Sequence, residues 1–130
     1  MGLGRHGGGV AAARYLAEQG AKVTVTDLAD EGALFDSLAE LSNIPIDRFV
    51  LGRHEEADFA TAEILVVNPA VCLDSPWMGI ARESGAVITS EIELFLRACP
   101  ATVIGVTGSN GKSTTAAMIA ACLDAAGRTI

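Results

Sequence analysis

The chain has 130 residues, of which half are hydrophobic, 19% are charged and only 5% are aromatic. This length and composition exclude intrinsic disorder and indicate about one domain with a core of aliphatic side chains. The net charge of −7, without a local cluster of basic residues, argues against nucleic acid and anionic membranes as partners.

The first hundred residues alternate between helix and strand patterns. In chain order they predict a helix over 8–19, a strand over 22–26, a helix after Asp30, a strand over 48–51, a strand over 64–67, a helix from Ser75–Pro76 to Gly85 and a strand over 86–88. Gly20 and Gly85 suit the position just after a helix. Helices and strands that alternate at this spacing indicate an α/β fold with a mostly parallel sheet.

A second unit begins near Pro100. Ser90 and Glu93 form a capping-box pattern for a helix that ends before this proline. Beyond it we predict an apolar strand over 102–106, a glycine-rich loop and a helix over 113–126, ended by Gly127. The predicted division is a Rossmann-like domain over residues 1–100 and the truncated start of a P-loop domain over 101–130.

A glycine pattern opens the chain, Gly2-x-Gly4-x-x-Gly7, and Asp27 ends the second strand of the expected order. Such glycines allow a pyrophosphate to approach a helix start, and such an acid binds a ribose hydroxyl or a base N–H. Plain packing glycines are the alternative. Because this loop belongs after a central strand and only Met1 precedes it, we expect a fragment whose first strand is missing. We therefore expect poor expression or aggregation, which an upstream apolar strand would correct.

The strongest motif is the loop from Thr107 to Thr114, between an apolar run and an apolar helix. Glycines allow successive amides to point at phosphate oxygens, and the helix start adds its positive dipole end. Lys112 would bridge the β and γ phosphates, and the Ser113 hydroxyl would bind Mg²⁺. The loop is a variant of the general pattern, because Val106 occupies the place of its first glycine. An ordinary glycine-rich turn is the alternative.

Other polar residues carry weaker signals. Glu55, Glu56 and Asp58 indicate a solvated charge cluster, and Trp77 in a first helical turn indicates a packing anchor. His54 has no partner at ligand spacing, so we expect a solvated or backbone-bonded ring. The widely spaced cysteines indicate reduced thiols, and no signal peptide or membrane-spanning run occurs. We expect a cytoplasmic monomer without membrane insertion.

Four segments together resemble the Mur ligase family, in particular its D-glutamate-adding members. They are Gly2-Leu3-Gly4-x-x-Gly7, Asn68-Pro69-Ala70-Val71, Ser90-Glu91-Ile92-Glu93-Leu94-Phe95 and Val106-Thr107-Gly108-Ser109-Asn110-Gly111-Lys112-Ser113-Thr114. The resemblance covers nearly all of the chain. It implies a Rossmann-like domain that holds the UDP of the substrate, followed by a central domain that holds ATP and Mg²⁺.

The resemblance also implies site residues. For the UDP substrate they are Gly4, Arg5, His6, Gly7, Asp27, Asn68, Pro69 and Ala70. For ATP they are Gly108, Ser109, Asn110, Gly111, Lys112, Ser113 and Thr114, with Lys112 as catalytic residue and Ser113 as metal ligand. Arg5, His6 and Gly7 would lie along the pyrophosphate, and Asp27 would face the uracil.

The implied reaction is amide formation through an acyl phosphate in peptidoglycan precursor synthesis. A carboxylate of UDP-N-acetylmuramoyl-L-alanine attacks the γ-phosphate of ATP, and the amine of D-glutamate then attacks the activated carbonyl. In the family the amino-acid-binding residues lie further along the chain, so we expect residues 1–130 alone to be catalytically silent. The alternatives are a sibling Mur-type ligase or amidotransferase subunit, a non-catalytic nucleotide-binding module and, third, a dehydrogenase.

Overall fold

The computed structural model describes residues 1–4, 7–72 and 74–129, which divide into two compact units, 1–98 and 99–130. The elements of the first unit are α1 (Gly8–Glu18), β1 (Thr24–Asp27), α2 (Phe35–Glu40), β2 (Arg48–Leu51), α3 (Glu56–Ala60), β3 (Ile64–Val66), α4 (Pro76–Glu83), β4 (Val87–Thr89) and α5 (Glu91–Ala98). The second unit contains α6 (Lys112–Ala125).

The strands form two parallel pairs. β1 pairs with β2, with Thr24 opposite Arg48 and Asp27 opposite Leu51. β3 pairs with β4 in the same sense, with Ile64 opposite Val87. A helix lies between the partner strands of each pair along the chain, as parallel pairing requires. The predicted α/β class and its parallel strands are confirmed, and the arrangement is consistent with a Rossmann-like domain.

The first two residues link the two strand pairs. The amino group of Met1 donates to the Val66 carbonyl at 2.8 Å, and the Asn68 N–H donates to the Met1 carbonyl at 3.1 Å. On the other side the Gly2 N–H donates to the Thr26 carbonyl at 2.9 Å. Met1 and Gly2 thus lie between β1 and β3 and continue the ladder of each.

Two hydrophobic clusters form the core of this unit. The cluster that joins α1 and β1 consists of Leu3, Val10, Ala13, Ala17, Val23, Val25 and Leu41. The cluster around β3 and α4 consists of Phe59, Leu65, Val67, Met78 and Ala81. The core is mainly aliphatic, as the composition predicts. Trp77 stacks on Phe59 with ring centroids 5.2 Å apart, so its predicted role as a packing anchor is confirmed.

Local signals place the ends of several helices correctly. The Glu93 N–H donates to Ser90 Oγ at 3.3 Å and the Ser90 N–H to Glu93 Oε2 at 3.2 Å, so the capping box is confirmed. Gly20 and Gly85 follow their helices with φ values of 82° and 85°, which only glycine adopts without strain. Pro76 occupies the first turn of α4, whereas Ser75 makes no side-chain cap bond.

The structure differs from the predictions in several places. Residues 102–106 form no strand with any described residue, because a strand needs a hydrogen-bonded neighbour and Val103 and Ile104 remain exposed. Helix α3 was not expected, since its five residues are too few for a periodic signal. Asp58 is not solvated, since its side chain is 13% exposed and forms an ion pair with Arg48. Its Oδ2 atom is buried without a hydrogen-bond partner among the described residues.

Helix α6 in the second unit begins after Gly111, whose φ is 76°, and is followed by Gly127 at 70°. The helix was predicted over 113–126, so both observed bounds lie within one residue of the predicted ones.

Within the described ranges, no helix is sufficiently long and apolar to cross a bilayer.

Candidate functional site

The glycine loop is attached to the end of β1 through Asp27. The Gly4 N–H donates to Asp27 Oδ2 at 3.1 Å, and the Ala29 N–H donates to Oδ1 at 2.9 Å. Both carboxylate oxygens are therefore used to join the loop, the strand and the turn that follows it. On the far side, the Gly4 carbonyl accepts from the buried Ser37 hydroxyl at 2.9 Å. These bonds hold the loop backbone in one position.

Asn68 packs closely on the same loop. A Cβ atom on Gly4 would lie 2.9 Å from Asn68 Nδ2, and one on Gly2 would lie 3.0 Å from Asn68 Cβ. Any side chain at Gly4 would also be strained, because its φ is 69°. Asn68 Oδ1 accepts from the Ala70 N–H at 2.9 Å, which orders the turn after β3.

The structure thus brings together Gly4, Asp27 and Asn68 from three separate parts of the sequence. Pro69 and Ala70 follow Asn68 as exposed residues, and Gly7 caps α1 with a φ of 84°. Arg5 and His6, which were predicted to lie along a pyrophosphate, fall outside the described residues.

The start of α1 has two close neighbours that the sequence did not reveal. The carboxylate of Glu91 lies so near Gly8 that a Cβ there would overlap it, and a Cβ on Gly9 would overlap the Leu3 carbonyl. A carboxylate at this position is favourable, because the helix N-terminus carries partial positive charge. In the sequence, Glu91 appears only within the segment Ser90–Phe95, where nothing indicates a contact with Gly8.

His54 contacts β1 and two aromatic rings instead of lying free in solvent. Its Nδ1 atom is 2.6 Å from Thr26 Oγ1. Its ring packs edge-to-face against Phe59 and Trp77, with ring centroids 5.4 and 5.5 Å apart. Burial lowers the pKa of His54, the nearby amino terminus lowers it further, and Asp27 opposes both effects. The prediction of a solvated or backbone-bonded ring is therefore wrong, because a side-chain hydroxyl and two aromatic rings surround it.

The amino group of Met1 is also buried in this region. Loss of hydration disfavours its charged form and lowers its pKa from 8.0 to about 6, although the negative charge of Asp27 acts in the opposite direction. The neutral amine is thus the main form of this group at pH 7.

Stability is expected to rise as the pH is raised from 6 to 8. The pKa of the amino group is 8.0 in the unfolded chain and about 6 in the folded one. Between pH 6 and pH 8 the unfolded state therefore holds more protons, and raising the pH favours the folded state. His54 acts in the same direction because its folded pKa is also lowered. The amino group alone would contribute roughly 2 to 3 kcal/mol by linkage. Urea unfolding at pH 6, 7 and 8 measures this slope.

An N-terminally acetylated chain is the control, because it lacks the titrating amine and should lose most of the pH dependence. Unfolding free energies that fall, or stay level, between pH 6 and 8 in the unmodified chain would contradict the assignment.

The loop before α6 forms a second candidate site, located within residues 99–130. Lys112 Nζ donates to the Gly108 carbonyl at 2.7 Å, so its side chain folds back across the loop. The Thr115 N–H donates to the Gly111 carbonyl at 2.8 Å and closes the first turn of α6. Ser113 and Thr114 lie exposed in that first turn.

The loop backbone has free donors. The amide N–H groups of 108–111 have no backbone acceptor among the described residues, and the first amides of a helix lack intrahelical partners in any case. The Lys112 ammonium contacts the Gly108 carbonyl of the same loop. This combination can bind an anion with several oxygen atoms. No cluster of three or more His, Cys, Asp or Glu side chains suited to a metal ion occurs among the described residues.

A family model described as Mur ligase MurD-like, N-terminal domain, matches residues 1–90. The chain belongs to the MurD-like Mur ligase family. The match includes the glycine loop together with Asp27 and Asn68. This finding bears out the resemblance that the four sequence segments indicated.

Relatives in this Mur ligase family extend the match into the second unit. The chain is 53% identical over 123 residues to UDP-N-acetylmuramoylalanine--D-glutamate ligase of Roseiflexus sp., covering 95% of this chain and 26% of the relative. The ligases with the same name from Geobacter metallireducens and Treponema pallidum are each 46% identical, over 98% of this chain and 27% or 24% of their own. The chain therefore spans about a quarter of these relatives.

Proposed function

We propose that this chain supplies the UDP-substrate site and the ATP loop of an ATP-dependent ligase that adds D-glutamate to UDP-N-acetylmuramoyl-L-alanine in peptidoglycan synthesis. The observation that carries this proposal is the identity of 46–53% to ligases of that name over at least 95% of the chain. The contact of Gly4 with Asp27 and Asn68 supports it, because these residues converge from separate segments. The cytoplasm is the proposed location, and a monomer the proposed state.

The UDP moiety is proposed to bind at the glycine loop, within a domain formed by residues 1–100. Its pyrophosphate would lie along Gly4, Arg5, His6 and Gly7 at the start of α1, where backbone amides and the helix dipole favour negative charge. Asp27 would meet the uracil, and Asn68, Pro69 and Ala70 would line the same pocket. A side chain at Gly4 would collide with Asn68, so only glycine fits at this position of the loop.

ATP is proposed to bind at the second loop, in the start of a central domain over residues 101–130. The free amides of 108–111 fit phosphate oxygens, as do Ser109, Asn110 and Thr114 beside them. Lys112 would exchange its bond to the Gly108 carbonyl for the β and γ phosphates. The exposed Ser113 hydroxyl fits one position of a Mg²⁺ ion, which would neutralise phosphate charge when bound.

The chemistry left to these residues is positioning and charge neutralisation. Phosphoryl transfer to the substrate carboxylate depends mainly on such effects. Lys112 is the catalytic residue proposed here, because its ammonium would stay beside the transferred group. The resulting acyl phosphate would then be attacked by the amine of D-glutamate, and inorganic phosphate would leave.

Asp27→Asn is expected to weaken binding of UDP-N-acetylmuramoyl-L-alanine by about 10- to 100-fold. Asparagine replaces one carboxylate oxygen by an NH2 group, which cannot accept from the Gly4 N–H. The charge-assisted hydrogen bond lost in this way is worth about 1.5 to 3 kcal/mol. Calorimetric titration of the 130-residue chain with the UDP substrate measures the change. The matched control is Asp36→Asn on the exposed surface of α2.

Equal affinity of Asp27→Asn and the unchanged chain would overturn the UDP site. Tight binding of NAD, with no binding of the UDP substrate, would instead favour the dehydrogenase alternative.

A further inference from the structure

Ser37 is a polar residue on the buried face of α2. It is 5% exposed and Leu34 is 2% exposed, whereas Phe35 and Asp36 between them are exposed. Residues three positions apart lie on the same side of a helix, so Leu34 and Ser37 share one face. A buried hydroxyl is costly unless it is hydrogen-bonded. The partner of this hydroxyl therefore shows what Ser37 stabilises.

That partner lies in the glycine loop and not in α2. A serine inside a helix often donates to a carbonyl three or four residues earlier in the same helix. The Ser37 hydroxyl instead donates to the Gly4 carbonyl at 2.9 Å, and 33 positions separate the two residues. A hydroxyl has a single proton to donate. The buried hydroxyl of α2 is therefore committed to the loop.

Gly4 is held at both of its backbone polar groups. Its N–H donates to Asp27 Oδ2 at 3.1 Å, and its carbonyl accepts from Ser37. The φ of Gly4 is 69°, in the region that favours glycine, and glycine restricts the direction of its carbonyl less than any other residue does. The local conformation alone does not fix that carbonyl, so the hydrogen bond from Ser37 supplies the constraint.

Successive carbonyls of the loop meet different helices. The Leu3 carbonyl lies so close to Gly9 of α1 that a Cβ there would overlap it. The next carbonyl, that of Gly4, is turned to Ser37 of α2. The diphosphate of the UDP substrate is proposed to bind at the start of α1. Ser37 therefore directs the Gly4 carbonyl to a helix other than the one that would face the diphosphate.

The direction of a carbonyl matters at this loop because the proposed ligand is an anion. Loops that bind phosphate present backbone N–H groups to its oxygen atoms. A carbonyl oxygen carries partial negative charge, and one that is turned toward a phosphate repels it. A Gly4 carbonyl without its bond to Ser37 would have access to that unfavourable orientation.

We propose that Ser37 is a positioning residue of the UDP-substrate site, whose hydroxyl keeps the Gly4 carbonyl turned away from the diphosphate. This role rests on the proposed function, because it requires the diphosphate to bind at the glycine loop. Ser37 acts through Gly4 and not by contact with the ligand. Its removal should therefore affect ligands that carry the diphosphate and spare those that lack it.

The test compares UDP with uridine, which has no phosphate, as ligands of the 130-residue chain. NMR titration measures both affinities, including the weaker one expected for uridine. Ser37→Ala should weaken UDP binding about 5- to 20-fold, as expected when a buried carbonyl loses its hydrogen-bond donor. The affinity for uridine should stay within about twofold of that of the unchanged chain, since one hydrogen bond to the diphosphate region is all that differs.

Two further variants separate the hydroxyl from general effects on the fold. Ser42→Ala is the same exchange at an exposed position just after α2, and it should leave both affinities unchanged. Ser37→Thr keeps a hydroxyl on the same carbon and should bind UDP at least about threefold more tightly than Ser37→Ala. Urea unfolding of each variant gives the folded fraction to which its affinities are referred.

Unchanged UDP affinity in Ser37→Ala would refute the positioning role. Equal weakening of UDP and uridine would also refute it, because a merely structural serine would give that result. A folded Ser37→Thr variant that binds UDP as weakly as Ser37→Ala would show that the hydroxyl is not the cause. Absence of UDP binding by the unchanged chain would instead overturn the proposed UDP site, and the role of Ser37 with it.

Discussion

Gly9→Ala is expected to destabilise the first unit by about 3 kcal/mol, the upper end of the range for overpacking a close contact. The new Cβ would overlap the Leu3 carbonyl oxygen and would lie 2.9 Å from both the Leu3 carbonyl carbon and Cα. These are backbone atoms, and Leu3 is itself buried in the core next to Val10. Helix α1 and the Leu3 backbone cannot move apart without displacing the glycine loop. Chemical denaturation at pH 8 measures the loss of unfolding free energy.

The control is Gly79→Ala in the middle of α4. A Cβ at Gly79 meets no atom within 4 Å, so this exchange should be neutral or stabilise by about 0.5 to 1 kcal/mol through helix propensity. Both variants make the same glycine-to-alanine exchange within a helix, and they differ only in the atoms around the new Cβ. If Gly9→Ala were as stable as Gly79→Ala, the close approach of α1 to Leu3 would be wrong.

Gly9→Ala should also weaken binding of the UDP substrate. Leu3 precedes Gly4, whose N–H is bonded to Asp27, so a displaced Leu3 would alter this bond. Binding that persists in a clearly destabilised variant would show that the loop moves as a rigid piece.

Lys112→Ala is expected to reduce ligase turnover by at least about 10²- to 10³-fold, the range found when one electrostatic stabiliser of a transition state is removed. The experiment needs a complete enzyme. A suitable one is a chimera in which these 130 residues replace the matching quarter of the Roseiflexus ligase. Release of inorganic phosphate in the presence of both substrates measures the rate.

Lys22→Ala is the matched control, since Lys22 is the other lysine of the chain and is exposed before β1. It should leave turnover within about twofold of the unchanged chimera, as for an exposed surface change. Substantial turnover by the Lys112→Ala chimera would exclude the catalytic role proposed for this lysine.

Much of the fold follows from signals that lie within a few residues of each other. Gly20 and Gly85 end helices because a left-handed residue is needed there. The bonds between Ser90 and Glu93 were predictable because both partners lie in one turn. The strand over 48–51 was predicted with its observed bounds. The residues of both candidate sites stay predictions, which came from short motifs and from the resemblance to the Mur ligase family.

The arrangement around those motifs was not predictable in this way. Glu91 lies against Gly8 although 83 positions separate them (91 − 8), and nothing near either residue indicates that contact. Asp58 was expected in a solvated charge cluster, and His54 was expected to be solvated or backbone-bonded because no partner stands at ligand spacing. Their observed contacts are with Thr26 of β1 and Arg48 of β2, which lie 28 and 10 positions away along the chain.

The sequence by itself determined where several helices end and which runs are apolar, because these properties arise from neighbouring residues. The tertiary structure decided which backbone edges are paired. Residues 102–106 have a strand composition and form no strand, whereas Met1 and Gly2 have almost no local signal and pair with both β1 and β3. The physical reason is that a strand is completed by hydrogen bonds to a distant segment, and a sequence pattern does not specify whether that segment is in place.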